Sequence, residues 1–294
     1  MELTLENNFL RVEINSVGAE LMSIYHKDSD RQYLWNGDPT VWDRQSPLLF
    51  PNCGTAKNGK YLIEGREYKA LQHGFARDLN HKVVCSSDQI ATFRLESSKE
   101  TAEFYPYVFA LKTTYKLEKN SLLCQHKVIN YDGKPIYFSF GYHTGIRCPF
   151  VPGTQNTDYD LVFEKLERCE QMGNAHGVIC SQTTPYEPTS RRIPITPGVF
   201  TDSLILKGVQ SSYIQLEERA SGDYCRIRGA NSPYTVLWST PNEVRTVCIE
   251  PWYGIGDTDT FDGALEHKEG IHCLQPMEEF ICAQTIEIGN SKKQ

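Results

Sequence analysis

The stretch Tyr107-Val108-Phe109-Ala110-Leu111-Lys112-Thr113-Thr114-Tyr115-Lys116-Leu117 decides the fold class. Tyr107, Phe109, Leu111, Thr113, Tyr115 and Leu117 fall on every second position, the period of a strand with one buried face and one wet face. Lys119-Asn120-Ser121 follows as a turn, and the same alternation recurs at Leu3 and Leu5 and from Val84 to Leu95 around a polar turn. Glu64-Gly65 separates Tyr61-Leu62-Ile63 from Tyr68, and Asp132-Gly133 separates Val128-Ile129 from Ile136-Tyr137-Phe138, so a succession of hairpins is expected. No window of about 12 residues carries the i, i+3, i+4, i+7 apolar stripe of a helix. Residues 264–274 have room for one helical turn, which Gly270 interrupts.

The chain has 294 residues, 39% of them hydrophobic and 23% charged, with Gly 21 and Pro 15, which excludes collagenous, disordered and low-complexity chains. There is no internal repeat and no linker-like run, and even the proline-containing stretch 182–197 lies within strand patterning. Residues 1–294 are therefore expected to form a single all-β domain with very little helix. So many strands avoid long exposed edges most simply as a large antiparallel sandwich of two stacked sheets, with any ligand on a concave face.

A net charge of -7 lacks the basic footprint that phosphate neutralisation demands, so nucleic acid is not an expected partner. The opening MELTLENNFLRVEIN has no basic region followed by an apolar one, and no apolar run reaches the roughly 18 residues of a membrane span. The ten cysteines are dispersed and there is no Asn-x-Ser/Thr sequon, so the expectation is a cytoplasmic protein with reduced thiols and no membrane partner. Nothing in the sequence speaks to oligomeric state.

Several motifs fail on inspection. Gly54 to Tyr61 matches G-x-x-x-x-G-K, but Tyr61 stands where a nucleotide-binding loop needs Ser or Thr, and a hairpin rather than a helix follows. Asp257, Asp259 and Asp262 resemble a calcium loop with its third carboxylate displaced, and are read as a solvated acidic turn. No Cys-x2-4-Cys pair, H-E-x-x-H or G-x-S-x-G occurs, so no dedicated metal site and no serine-hydrolase elbow is expected. What remains is a scattered polar set at aromatic strand ends: His73, His143, Asp202 and Glu250. Glu250, between Ile249 and Pro251-Trp252, would be desolvated and its pKa raised, which suits a general acid or base near neutral pH. Trp252 offers a flat face on which a sugar can stack.

Six segments taken in order resemble the aldose 1-epimerase (galactose mutarotase-like) family, and its LacX-like bacterial branch in particular. They are residues 33–37 (YLWNG), 42–51 (WDRQSPLLFP), 73–78 (HGFARD), 138–143 (FSFGYH), 202–205 (DSLI) and 248–254 (CIEPWYG), spread along nearly the whole chain. The resemblance implies a β-supersandwich with a small-molecule sugar, an aldohexose or derivative, across a concave sheet. It implies Glu250 as catalytic base, His143 as catalytic acid, and His73 and Asp202 as sugar-binding positions, with no cofactor. The family's substrate-binding arginine aligns with Thr55, leaving that contact to Lys57, Arg77 or Arg44, of which Arg77 is the expected one. Around His143 the branch has a small residue and a proline where this chain has Tyr142 and Thr144.

Interconverting the α and β anomers requires removal of the C1 hydroxyl proton and protonation of the ring oxygen, so one base and one acid suffice. The expected activity is aldose 1-epimerase, an isomerase. The alternatives are a non-catalytic sugar-binding or sensing protein, a hexose-6-phosphate 1-epimerase, and a glycosidase using Asp202 and Glu250 as a carboxylate pair.

Overall fold

The alternation at 107–117 becomes the strand Phe109–Glu118, in which Phe109, Leu111, Thr113, Tyr115 and Leu117 are buried while Lys116 and Glu118 are exposed. The computed structural model that shows this describes residues 1–293 apart from 176, 201, 230 and 242. Across the turn at Lys119-Asn120 the strand pairs with Ser121–Asn130, and on its other edge with Ile90–Glu96. The Glu64-Gly65 hairpin joins Lys60–Ile63 to Arg66–Lys69, and a further hairpin joins Lys82–Ser86 to Ile90–Glu96.

Two large antiparallel sheets dominate. One has nine strands in the order Arg192–Pro194, Tyr159–Phe163, Ile214–Glu218, Asp223–Gly229, Glu279–Asn290, Ser121–Asn130, Phe109–Glu118, Ile90–Glu96 and Lys82–Ser86. The other runs Val178–Tyr186, Cys169–Ala175, Leu204–Lys207, Tyr234–Ser239, Thr246–Tyr253, Phe140–Tyr142 and Leu48–Leu49, with Thr144–Arg147 also paired to Thr246–Tyr253. Residues from both sheets, among them Leu111, Tyr115, Leu216, Ile227 and Ile286 with Leu206, Leu237, Val247 and Ile249, share one apolar cluster. A smaller cluster that includes Ile205, Val236 and Trp252 covers the opposite face of the second sheet. That sheet is thus apolar on both sides, and β-alternation sorts its residues between the inter-sheet core and the outer face.

Polar tethers cross between the sheets. Tyr142 Oη donates to the Cys124 carbonyl at 3.1 Å, and Gln284 Nε2 donates to Thr144 Oγ1 at 2.8 Å. Among the described residues, helix is limited to the single turn Lys99–Ala102, capped by Ser98, and short 3-10 turns such as Leu265–His267. The ten cysteines are free thiols. No helix among the described residues is long and apolar enough to cross a membrane.

Two sequence expectations are corrected. Ile136–Phe138 does not fold back on its predecessor across Asp132-Gly133 but pairs with His272–Leu274, because Asn130 captures the turn by donating to the carbonyls of Lys134 and Leu274. The acidic turn is not wholly solvated either. Asp257 is buried, ion-paired to the equally buried Lys268 and accepting the Lys57 backbone N–H at 2.7 Å, while Asp259 and Asp262 stay exposed.

Two imidazoles are locked in the interior. His126 Nδ1 meets Thr113 Oγ1 at 3.0 Å while its Nε2 has no partner; His81 Nε2 meets the Ala76 carbonyl at 2.9 Å while its Nδ1 has none. Burial pulls His126 down to about 3 and His81 down to about 4. Both stay neutral in the folded chain yet accept a proton near pH 6.5 once unfolded, so the stability they contribute is present above pH 6.5 and is lost as pH falls toward those folded values. Each should cost on the order of 2 kcal/mol between pH 7 and 5. Denaturant melts at pH 6 and pH 5 should show the pH slope of stability reduced by about 1.2 kcal/mol per unit in His126→Gln; an unaltered slope would mean that His126 titrates normally in the fold.

Candidate active site

Pairing along Thr246–Tyr253 keeps one register on both sides of residue 143: Gly141 lies opposite Trp252, and Thr144 opposite Ile249. Residue 143 therefore falls across from residue 250. The ladder breaks at Tyr142 and His143, next to Pro251, which has no N–H to give it. Alternation then separates the two sides. Tyr142 and Thr144 turn inward to the cross-sheet tethers, so the residues that depart from the family pattern around His143 are structural. His143, Glu250 and Trp252 turn outward and line a cavity of about 500 Å³, a size suited to a small molecule.

Glycines flank His143 on its own face. A Cβ at Gly141 would lie 2.9 Å from Trp252 Cδ1, and one at Gly145 would lie 2.7 Å from Trp42 Cζ3. Their bare backbones leave room for those two indoles on either side of residue 143. Trp42 stacks on His143 with ring centroids 5.0 Å apart, and Trp238 meets it edge-on at 5.9 Å.

His143 Nε2 stands 3.6 Å from Glu250 Oε2, and the same carboxylate oxygen accepts from Trp252 Nε1 at 3.1 Å. Burial pushes the Glu250 carboxyl well above its usual range, against the pull of the Trp252 hydrogen bond. Burial, reinforced by the Arg77 charge, pulls His143 down to about 3. The two shifts run in opposite directions, because burial favours the uncharged form of each group, the protonated carboxyl and the neutral imidazole.

His73 also lines the cavity, with φ +61°, and Gly74 follows at φ +72°, where any Cβ would collide with the Phe50 carbonyl oxygen at 2.1 Å. The Gly54 N–H donates to His73 Nδ1 at 3.1 Å, so the ring proton sits on Nε2, and burial keeps the imidazole neutral. Arg77 and Arg44 line the same cavity. Arg44 takes Asp78 as its close partner, leaving Arg77 Nε buried without a hydrogen bond and 3.8 Å from Asp78 Oδ2. Burial and the neighbouring Arg44 charge lower the Arg77 pKa. Thr55 is on the cavity wall, whereas Lys57 reaches away to the Asp259 carbonyl at 2.8 Å and does not line it.

Asp202 is not brought to the pair. It is exposed on the turn before Leu204–Lys207 and does not line the cavity, where its neighbour Ser203 does. Trp42, Trp238, Gln72 and Asn174 line the cavity without having been singled out as site residues by sequence reasoning. Trp42 stood within a family segment; Trp238 and Asn174 carried no local signal, since only strand pairing brings them to the cavity. The same pairing places Cys248, two residues before Glu250, so that His143 nitrogen, Cys248 Sγ and a Glu250 oxygen lie within 4.8 Å of one another.

Comparison with known proteins agrees with this frame. The chain is 29% identical over 288 residues to the plasmid-encoded protein LacX of Lactococcus lactis subsp. lactis, covering 95% of this chain and 96% of that one. The X-ray structure of a galactose mutarotase related enzyme from Lactobacillus acidophilus superposes with a TM-score of 0.94 at 29% identity, covering 100% of this chain and 99% of the other. A galactose mutarotase-like protein from Lactobacillus casei ATCC 334 gives 0.90 at 26% identity, with 98% and 100% covered. The family model for aldose 1-epimerase matches residues 1–254. With so much of its length matched, the chain belongs to the aldose 1-epimerase family.

Proposed function

We propose that the protein is an aldose 1-epimerase that interconverts the anomers of a hexose or related sugar at the Glu250–His143 pair. The observation that carries this reading is the 3.6 Å approach of a buried carboxylate and a partly buried imidazole at the wall of a small-molecule cavity. Such contacts in an empty site commonly tighten once substrate arrives. A proton passed from the carboxyl to the imidazole turns the uncharged pair into an ion pair with no change in the total proton count. Glu250 then takes the C1 hydroxyl proton as His143 protonates the ring oxygen, and the bond from C1 to O5 opens. Rotation about C1–C2 and the reverse transfers close the other anomer and restore the pair. The neutral His73, with its proton on Nε2, donates to a sugar oxygen; the Trp252 face packs on the ring; and the Arg77 guanidinium, which lines the cavity, donates to a substrate oxygen.

Polarimetry of freshly dissolved α-sugars, over a panel with galactose, glucose and sugar 6-phosphates, tests the reading directly. Glu250→Gln and His143→Asn should each lower kcat by about 100-fold or more with the fold and sugar binding retained, since amides keep shape and hydrogen bonding but cannot exchange the proton. Near wild-type mutarotation in Glu250→Gln would remove the assignment. A wild-type protein that binds sugar without accelerating mutarotation would instead be a binding protein.

Arg77→Ala should act on KM rather than kcat, raising it by about tenfold, which corresponds to about 1.4 kcal/mol. Unchanged kinetics with lowered thermal stability would make Arg77 a structural partner of Asp78.

A further inference from the structure

The fold assembles a donor set that no stretch of the sequence contains. Cys248 and Glu250 are two apart on one strand and so share a face, and His143 lies across from Glu250 on the neighbouring strand. Their nitrogen, sulfur and oxygen lie within 4.8 Å of one another, and the His143 Nε2 to Glu250 Oε2 separation is 3.6 Å. A tetrahedral zinc ion with bonds of roughly 2.0–2.3 Å to such atoms spaces its ligands about 3.3–3.8 Å apart. The nitrogen and oxygen already fit, and the sulfur needs to approach by about 1 Å at most. On binding, the ion displaces the Cys248 thiol proton and the Glu250 carboxyl proton to solvent, and thiolate, carboxylate and neutral imidazole then supply two negative charges for it. His143 and Glu250 line the cavity, so an entering ion reaches them from solvent and its fourth position faces that cavity.

We propose that His143, Cys248 and Glu250 form an inhibitory site for a thiophilic divalent cation of the zinc type, which silences the enzyme by occupying its acid and its base together. The outer shell argues for reversible rather than resident binding. Metal-bound histidines ordinarily give their second ring nitrogen to an acceptor, whereas His143 Nδ1 is buried with no partner. Inhibition rests on the epimerase reading above; binding does not, which keeps the two separable.

The test uses the full-length protein with Zn²⁺ in the polarimetric assay and Co²⁺ as a spectroscopic probe. Wild type should be inhibited, with activity restored by a chelator, and should show a cobalt–thiolate charge-transfer band saturating at one equivalent. Cys248→Ser should keep mutarotation and lose that band. Its zinc sensitivity should fall by more than the roughly 10–100-fold that losing an outer-shell partner costs. Cys248→Ala serves if the serine variant fails to fold, and Glu250→Gln should also lose the one-equivalent band. Equal zinc inhibition of wild type and the Cys248 variants, or a band that survives in both Cys248→Ser and Glu250→Gln, would overturn the proposal. A one-equivalent band in a protein without mutarotation would keep the site and remove the epimerase reading.

Discussion

Constant register between residues 140–147 and the strand Thr246–Tyr253 is the constraint on which the site depends. It sets the imidazole opposite the carboxylate, and because a strand has period two, a slip of one residue would send both into the inter-sheet core and bring Tyr142 or Ile249 out. Register is held from behind. Tyr142 and Thr144 are tied to the other sheet by hydrogen bonds from or to groups on Ser121–Asn130 and Glu279–Asn290, so the acid sits on a segment whose two neighbours cannot turn over without breaking buried polar contacts.

The interruption at Pro251 is part of the same design. A continuous ladder would place His143 in an ordinary pleat, with its backbone committed on both sides. Pro251 removes one donor and the pairing resumes at Thr144 without an inserted residue, so the chain stays in step while local hydrogen bonding is relaxed. Gly141 and Gly145 then clear the face on either side, and the indoles of Trp252 and Trp42 occupy the space. Low polarity around the pair follows from those indoles, and the opposed shifts of carboxyl and imidazole follow from low polarity.

Much of this was legible in the sequence. Period-two patterning identified strands because each buried face repeats locally, and Glu250 stood out because Ile249, Pro251 and Trp252 announce desolvation within three residues. Asp257 was misread for the opposite reason. Its partner Lys268 lies eleven residues on, and a run of acids looks solvated until the fold supplies a buried cation. Trp238, Asn174 and Cys248 were invisible as site residues, since what matters is the strand beside them and not their neighbours in sequence. Asp202 shows the converse: a residue in a family-like segment whose side chain the turn leaves exposed.

Two parts of the cavity wall differ in how their charges are housed. Beside Thr55 and Gly256, the Asp257–Lys268 pair is shut away from solvent, with both side chains under 5% exposed. At another part of the wall, Arg44 pairs with Asp78, with 28% and 43% of their side chains exposed. Mobile ions screen the second pair and hardly reach the first. Added salt therefore weakens the exposed Arg44–Asp78 attraction more than the buried one, and the wall beside Thr55 and Gly256 is the one whose charges stay indifferent to ionic strength.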